Sequence, residues 1–201
     1  MFVILIGDSS AGKSTVKSKL LDNKKRYESV ITSTTRKKRI GEVEGVDYHF
    51  LNKNDFIKEI ENGEYIESEE INGNIYGTSK KSIEYSLKTK KAKVIILDEE
   101  GAKNLQSYLN KKKEKFVTVL LHLTEEEMRN RMKKRGDKEK DIEKRLKLKI
   151  SEKALILHKN KKLNIDIIIN GNLDLNNIVG EIENKMKNKK NKECLKQNKM
   201  K

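Results

Sequence analysis

Gly7-Asp8-Ser9-Ser10-Ala11-Gly12-Lys13-Ser14 is the stretch of this sequence on which the prediction of its fold rests. Two glycines separated by four residues precede a lysine and a serine, which is the pattern of a phosphate-binding loop. The apolar run Phe2-Ile6 comes directly before the loop, and a stretch with Val16 and Leu20 on one helical side follows it. A buried strand, the loop and then a helix form the context that such a loop requires. The pattern therefore predicts a nucleoside triphosphate site at the end of the first strand.

Each part of this loop has a chemical task. The glycines permit positive φ angles, so that main-chain N–H groups can surround an anion, and the start of the following helix adds partial positive charge. We expect Lys13 to reach the β and γ phosphates, and Ser14 to supply a hydroxyl ligand to Mg²⁺. The residues predicted to bind ATP are Gly7, Asp8, Ser9, Ser10, Ala11, Gly12, Lys13, Ser14 and Thr15.

Short apolar runs alternate with stretches of helical pattern along most of the chain. Four of them read as fully buried strands: Phe2-Ile6, Val94-Leu97, Phe116-Leu121 and Ile165-Ile169. We also predict a strand at Ser29-Thr32, one helix over 142–159 and a last helix over 175–187. Strands that alternate with helices favour a mostly parallel sheet covered on both faces. The predicted fold class is therefore α/β.

Two regions depart from this alternation. Between Thr34 and Thr78, short extended pieces surround one helix-like stretch, and glycines mark the turns, so an inserted β-rich subdomain fits best. The segment Arg135-Lys140 is almost wholly charged and lies between two helical stretches. Such a segment is typical either of a solvated connector or of a mobile lid that carries charge to a ligand.

Composition excludes several other classes of protein. No stretch approaches the 18 or so consecutive apolar residues of a membrane span, so we expect a soluble, cytoplasmic protein without a membrane partner. Cys194 is the only cysteine, which excludes an internal disulfide, and we expect it to be exposed. The three histidines, His49, His122 and His158, lie far apart in the sequence and do not have metal-ligand spacing.

The chain is strongly basic, with a formal net charge of +15, and lysine supplies most of the positive charge. The segment Lys185-Lys201 alone holds eight lysines and one glutamate, and we expect residues 188–201 to form a disordered tail. An arm that binds nucleic acid or acidic surfaces is the alternative. Aromatic residues are too few and too scattered for a base-stacking platform, so we expect no specific nucleic-acid partner.

Three further segments make the sequence resemble the guanylate kinase family: Thr34-Thr35-Arg36-Lys37-Lys38-Arg39-Ile40-Gly41-Glu42, Gly45-Val46-Asp47-Tyr48-His49-Phe50 and Asn72-Gly73-Asn74-Ile75-Tyr76-Gly77-Thr78. The likeness runs from Phe2 to about Lys187. It implies a parallel five-stranded core with a GMP-binding insertion and a lid. The predicted organisation is one domain, 1–187, with core 1–33, 79–123 and 142–187, insertion 34–78 and lid 124–141.

The resemblance also implies roles for individual residues. Arg36, Arg39, Tyr48 and Tyr76 would hold the GMP phosphate, and Thr32 or Ser33, Glu67, Thr78 and Asp98 would surround the guanine. Guanidinium groups match phosphate oxygens, and a carboxylate accepts from the guanine N1–H and 2-amino groups that adenine lacks. Without the family likeness, Glu67 could equally be a solvated strand residue.

Three arginines would clamp the transferring phosphoryl group by the same resemblance: Arg131, Arg135 and Arg145. Of the seven arginines in this lysine-rich chain, five lie at places implied to handle phosphate, which favours selection for the planar guanidinium. The alternative for Arg131 and Arg145 is ordinary charge on a helix surface.

The sequence departs from the family pattern at Leu97-Asp98-Glu99-Glu100-Gly101-Ala102. The family usually has two aspartates flanking one residue here, followed by glutamine and glycine, and this chain is shorter. Asp98 fits the first aspartate. Glu99 or Glu100 must replace the second, and we expect Glu100 because its side chain could reach from a retracted loop.

The function implied is ATP-dependent phosphorylation of GMP and dGMP to the diphosphates, by direct in-line transfer with Mg²⁺. One alternative is a non-catalytic protein-binding module, although those typically have a degraded phosphate loop. The other is a nucleoside monophosphate kinase with altered base specificity. The sequence leaves open whether the protein is a monomer or a dimer.

Overall fold

The structure is a computed structural model that describes residues 1–71 and 73–198, with side chains as far as Asn191. In these residues the strands are β1 (Phe2–Gly7), β2 (Tyr27–Ser29), β3 (Thr32–Thr34), β4 (Tyr48–Phe50), β5 (Tyr65–Ile71), β6 (Asn74–Ser79), β7 (Ala92–Ile96), β8 (Phe116–His122) and β9 (Ile167–Asn170). The helices are α1 (Lys13–Leu21), α2 (Lys53–Glu61), α3 (Lys80–Leu87), α4 (Glu99–Lys111), α5 (Glu125–Lys134), α6 (Glu139–Leu146), α7 (Ile150–Lys159) and α8 (Leu175–Asn198).

The central sheet has five strands in the order β2-β7-β1-β8-β9, and every neighbouring pair is parallel. Strand β1 is buried along its whole length because both faces of the sheet are covered. Phe2 and Ile4 pack into a cluster with residues of α3, α4 and α7, whereas Val3 and Leu5 pack with α1, α5, α6 and α8. This alternation of side chains is what a central parallel strand requires. The predicted α/β fold is confirmed.

A second sheet is built from the inserted region, with the order β4-β3-β6-β5. Strands β3 and β4 are parallel, while β6 is antiparallel to both β3 and β5. The predicted β-rich subdomain is thus present, and its strands extend slightly beyond 34–78, from Thr32 to Ser79. The predicted single strand Ser29-Thr32 was wrong. Two strands occupy this region, because the chain leaves the core sheet after Val30, whose N–H donates to Val94 O at 3.1 Å.

The helices differ from the prediction in two places. The single helix predicted over 142–159 is two helices, α6 and α7, separated where Lys149 adopts a left-handed backbone with φ 47°. The predicted boundary between lid and core at 141/142 therefore falls inside α6. Helix α3 was not predicted, and it begins where the Ser79 hydroxyl accepts the N–H of Ser82 at 3.0 Å.

The last helix continues well past Lys187, so the predicted disordered tail is wrong for residues 188–198. Met186 lies in the core, and the Lys189 ammonium donates to Phe116 O and to the Asp166 carboxylate. These contacts give the basic segment a fixed place against the sheet. The side chain of Cys194 and residues 199–201 lie outside the described part of the chain. Among the described helices, none is long and apolar enough to cross a membrane.

Candidate active site

The phosphate-binding loop connects the carboxyl end of β1 to α1. Gly7 has φ 140°, and a Cβ atom there would lie 1.9 Å from Leu121 O, so only glycine fits against β8. Lys13 folds back over the loop and donates to Gly7 O at 2.7 Å and to Asp8 O at 2.8 Å. Burial lowers the pKa of Lys13 to about 8, while the Asp8 carboxylate acts in the opposite direction. Gly12, with φ 94°, caps the start of α1.

The loop lines a cavity of about 300 Å³ together with Arg131 and Arg135. The residues around it are Ser10, Ala11, Gly12, Lys13, Ser14, Thr15, Arg131 and Arg135. The predicted residues Gly7, Asp8 and Ser9 lie outside this lining. The Ser10 hydroxyl is buried without a hydrogen-bond partner among the described residues, which suits a loop built to receive a polar ligand.

Arg131 is fixed to the loop and is not a free surface charge. Its Nη1 donates to Ser10 O at 2.9 Å, while Nη2 donates to Gly171 O at 2.9 Å and to Asn172 Oδ1 at 2.6 Å. A Cβ atom at Gly12 would lie 3.9 Å from Nη1. The guanidinium therefore lies beside the glycine that opens α1, where a phosphate would arrive.

Arg135 and Arg145 are joined through Asp137. Arg135 Nε donates to Asp137 Oδ1 at 3.0 Å, and its Nη2 donates to Oδ2. Arg145 Nη1 lies 3.8 Å from the same Oδ2. The hydrogen bond from Arg135 lowers the pKa of Asp137 and keeps the carboxylate ionised. Arg135 reaches the cavity, whereas Arg145 is connected to it through Asp137.

The predicted monophosphate-binding residues gather at one end of the insertion around Glu42. Arg36 forms two hydrogen bonds to the Glu42 carboxylate, at 2.7 and 3.1 Å, and the Glu42 carboxylate also accepts the main-chain N–H of Arg39 at 2.7 Å. The Arg36 guanidinium lies 5.6 Å from the ring centre of Tyr48, which is 6.2 Å from that of Tyr76. The side chain of Arg39 is exposed. The Arg36 guanidinium thus already binds two oxygens, which here belong to the Glu42 carboxylate.

The predicted base-binding residues meet where the insertion contacts α4. A Cβ atom at Gly101 would lie 3.2 Å from Glu67 Oε2 and 2.7 Å from Asp98 Oδ1, so the glycine lets both carboxylates approach. Burial raises the pKa of Glu67 to about 7, and the charge of Asp98 adds to the effect. Thr78 pairs with Glu67 in the sheet, and its side chain interacts with the Glu67 carboxylate, which opposes the rise in the pKa of Glu67. Glu67 is therefore not a solvated strand residue.

The two remaining base-binding candidates, Thr32 and Ser33, belong to β3. Ser33 is buried at 2% exposure, and its strand partner in β6 is Gly77. Thr32 is only half-buried. Ser33 therefore lies deeper in the insertion sheet than Thr32 does.

The structure places Glu99, and not Glu100, on the buried side of the shortened segment. Asp98 caps α4 by accepting the N–H of Gly101 at 2.7 Å. Glu99 follows with a residue exposure of 7%, whereas the Glu100 side chain is 55% exposed and forms an ion pair with Lys103. Burial and the nearby Asp98 charge raise the pKa of Glu99. The expected use of Glu100 as the second base-reading carboxylate therefore conflicts with where its side chain lies.

Comparison with known proteins identifies the family of this chain. The family model described as guanylate kinase matches residues 1–189. The chain belongs to the guanylate kinase family. A curated guanylate kinase from Wolinella succinogenes is 36% identical over 140 residues, which cover 69% of this chain and 64% of that protein. One from Clostridioides difficile is 34% identical over 157 residues, which cover 78% of this chain and 75% of that protein.

A solved structure gives the same result. The crystal structure of guanylate kinase from Anaplasma phagocytophilum matches with a TM-score of 0.63 and 25% sequence identity, covering 94% of this chain and 85% of that one. Against the Wolinella succinogenes guanylate kinase, the chain spans less than two thirds of its relative's length.

Several residues of this guanylate kinase family member that shape the site were not predicted. Glu42 stands inside a family-like segment and has the charge to pair with arginine, so its role could have been inferred. Asp137 likewise lies among the charged residues of the lid. Asn172 has no sequence signal, because it reaches Arg131 from a turn 41 residues away along the chain.

Proposed function

We propose that this protein transfers the γ-phosphoryl group of ATP to GMP and dGMP, giving GDP and dGDP. The observation that carries the proposal is the cavity bounded jointly by the phosphate-binding loop and by Arg131 and Arg135. A loop alone would bind a nucleotide, but guanidinium groups in the same cavity suit a phosphoryl group in transfer. Membership of the guanylate kinase family and the Glu67 pocket support GMP as the acceptor.

The part of the site that would bind ATP, the phosphoryl donor, consists of the loop main chain, Lys13 and Arg131. Main-chain N–H groups of the loop and the start of α1 would surround the β phosphate. The Lys13 ammonium, which now lies on Gly7 O and Asp8 O, would exchange these neutral acceptors for phosphate oxygens. Charged acceptors form stronger hydrogen bonds than carbonyl groups do, so the exchange is favourable.

Mg²⁺ fits this part of the site by its donor chemistry. Ser14 is exposed to the cavity and offers a hydroxyl oxygen, which is a hard ligand of the kind Mg²⁺ prefers. In the described part of the chain, no group of three or more His, Cys, Asp or Glu side chains could hold a metal. The ion would therefore be held by Ser14, water and nucleotide phosphates. When bound, it neutralises charge on the β and γ phosphates.

The acceptor half uses the insertion. Arg36, with Arg39, Tyr48 and Tyr76, would take the GMP phosphate in the place where Glu42 now sits. The Glu67 carboxylate would accept from the guanine N1–H and 2-amino groups, and the Thr78 hydroxyl beside it would also contact the base. Asp98 lies near Glu67 at Gly101, and Thr32 or Ser33 would add a further contact to the base.

The reaction needs only alignment and charge. An oxygen of the GMP phosphate forms a new bond to the γ phosphorus while the bond from that phosphorus to the β–γ bridging oxygen breaks, and ADP leaves. No histidine or cysteine lines the described cavity, and the proposed reaction forms no covalent intermediate with the enzyme. Lys13, Arg131, Arg135 and Arg145 stabilise charge as it develops.

Closure of the lid and the insertion would complete the site. Excluding water strengthens each charge interaction and prevents hydrolysis of ATP. Arg135 and Arg145 would then turn from Asp137 to the phosphoryl group. We place this activity in the cytoplasm, on small-molecule substrates.

ADP production from ATP and Mg²⁺, measured against GMP, dGMP, AMP, CMP and UMP, tests the proposal. We expect turnover with GMP and dGMP and little with the others. Equal turnover with AMP and GMP would favour a nucleoside monophosphate kinase of altered base specificity, to which the exposed Glu100 would contribute. No turnover with any acceptor would favour a binding module and overturn the proposal.

A further inference from the structure

Asp8 is a buried carboxylate inside a loop that binds anions. It is only 3% exposed and directly follows Gly7. A negative charge there repels an arriving phosphate and costs free energy to bury unless it is well hydrogen-bonded. The chemistry proposed above gives the Asp8 side chain no task, so its partners in the structure explain why it is present.

These partners lie at the two ends of segment 124–149, which contains the predicted lid 124–141 and the rest of α6, and which is called the lid from here on. Asp8 Oδ1 accepts the N–H of Ser151 at 2.9 Å, and Oδ2 accepts the N–H of Leu123 at 3.4 Å. Leu123 immediately precedes Thr124, which caps α5, and Ser151 is the second residue of α7. The two contacts therefore bracket segment 124–149.

The bracketed segment carries the three arginines proposed to act on the transferring phosphoryl group: Arg131, Arg135 and Arg145. Arg131 itself donates to Ser10 O in the loop at 2.9 Å. The lid is thus attached to the loop at both of its ends and once in its middle. Both end attachments are hydrogen bonds to the one Asp8 carboxylate.

The start of α7 depends on Asp8. The first N–H groups of a helix lack partners within the helix, and a side chain at the cap position usually accepts one. Lys149, the cap residue of α7, provides no such bond and has a left-handed backbone. Asp8 supplies the acceptor from 143 residues away along the chain, and its charge suits the positive end of the helix.

We propose that Asp8 is a positioning residue that ties both ends of lid segment 124–149 to the phosphate-binding loop, so that nucleotide binding at the loop sets the placement of the lid arginines. The kinetic part of this inference rests on the proposed function. The structural part requires only that ATP binds the loop. Lys13 links nucleotide binding to Asp8, because its ammonium donates to the main-chain oxygen of Asp8 and would leave that oxygen for a phosphate.

Hydrogen–deuterium exchange of the full chain, with and without ATP and MgCl₂, tests the structural part. In the wild type, we expect ATP to slow exchange across 124–149. In Asp8→Asn, which retains the volume but has only one oxygen acceptor, at least one of the Leu123 and Ser151 amides should exchange at least about 10-fold faster, because the remaining oxygen can hold only the other. The protection that ATP gives to 124–149 should largely disappear in this variant.

Asp166→Asn is the matched control. Asp166 is also a buried carboxylate that accepts a main-chain N–H, from Thr118 at 3.0 Å, but its contacts lie away from the lid. This variant should lose stability yet keep the ATP-dependent protection. Equal loss of protection in both variants would show that Asp8 acts only through overall stability, and would overturn the proposal.

Kinetics give a second readout. For Asp8→Asn, we expect kcat to fall by about 10-fold or more while KM for GMP changes by less than about threefold, because the GMP half belongs to the insertion. A kcat within twofold of the wild type would overturn the coupling. Failure of the wild type to phosphorylate GMP would instead overturn the proposed function, and the exchange experiment would still decide the role of Asp8.

A measurement on the wild type alone covers the case in which Asp8→Asn does not fold. If Asp8 holds both amides, those of Leu123 and Ser151 must exchange far more slowly than in an unstructured peptide. Fast exchange at either amide, or no effect of ATP on 124–149, would show that the proposed attachment does not exist.

Discussion

Lys189 and Asp166 join the basic end of α8 to the central sheet. Nζ of Lys189 lies 2.8 Å from Oδ2 of Asp166 and donates to Phe116 O at 2.7 Å. The same carboxylate oxygen accepts the N–H of Thr118 at 3.0 Å. One lysine of a lysine-rich segment thus binds to the edge of the core, although the composition of that segment resembles that of a solvated tail.

Truncation after Lys187 should therefore destabilise the protein, whereas truncation after Asn191 should not. The shorter chain leaves the Asp166 carboxylate, whose side chain is only 7% exposed, without its cation. Loss of one partner of such a pair costs about 1–3 kcal/mol, or roughly 2–12 °C in Tm. Thermal unfolding of both truncations and of Lys189→Met checks this. An unchanged Tm in all three would show that the contact contributes nothing.

Lys13→Ala should fold normally and lose nearly all turnover. Its ammonium is the group proposed to reach phosphate, and removal of one such donor typically costs about 10² to 10⁴ in kcat. Lys19→Ala is the matched control, because Lys19 lies on the same helix but is exposed and pairs with Asp22. Steady-state rates and thermal unfolding compare the two variants. More than about a tenth of wild-type turnover in Lys13→Ala would contradict the assignment of the loop.

The pH dependence of GMP use should reflect Glu67. Burial raises the pKa of this carboxyl to about 7, and only the ionised form can accept from both guanine N–H groups. The value of kcat/KM for GMP should therefore fall as the pH drops through about 7, and it should fall again above about 8, where Lys13, with its pKa lowered by burial to about 8, loses its proton. The GMP phosphate also titrates near about pH 6, so Glu67→Gln is the control that isolates the carboxyl. An identical profile in that variant would assign the dependence to the substrate.

Base selection should depend on Glu67 and hardly at all on Glu100. Against AMP, the buried carboxylate finds no N–H group, and sites of this kind reject the wrong partner by up to about 10⁴-fold. We expect GMP to be preferred over AMP by at least about 10²-fold in kcat/KM, and Glu67→Ala to abolish most of this preference. Glu100→Ala should leave it unchanged, because that side chain faces solvent and Lys103. A collapse of selectivity in Glu100→Ala would mean that α4 turns when GMP binds.

Much of the fold was predictable because its information is local. Dense apolar runs indicated the buried strands β1, β7 and β8 directly, and the loop motif is contiguous. The prediction of a fully buried strand at Ile165-Ile169 was wrong, because β9 lies at the edge of the sheet and Ile168 is 50% exposed. The break between α6 and α7 was not predictable, because Lys149 adopts its left-handed backbone without a glycine or proline to mark it. The separate strands β2 and β3 were also missed, since two strands of three residues each leave too short a pattern.

The site was predictable in its residue types and less so in its geometry. Glu99 and Glu100 are adjacent and chemically alike, and only the start of α4 at Asp98 decides which one faces inward. The attachment of Asp8 to Ser151 depends on how distant elements pack, so it has no sequence pattern. Tertiary contacts of this kind are visible only in the structure.

Two short connections join the insertion to the core. Only Val30 and Ile31 separate β2 from β3, and β6 runs directly into α3 at Lys80. Rotation about these two points would move the whole insertion as a rigid body while changing few backbone torsions. The carboxylate of Glu67 already lies beside Gly101 of α4. We therefore expect the base to bind before the insertion closes, and the closure to align the GMP phosphate. A wrong base would then not lead to closure.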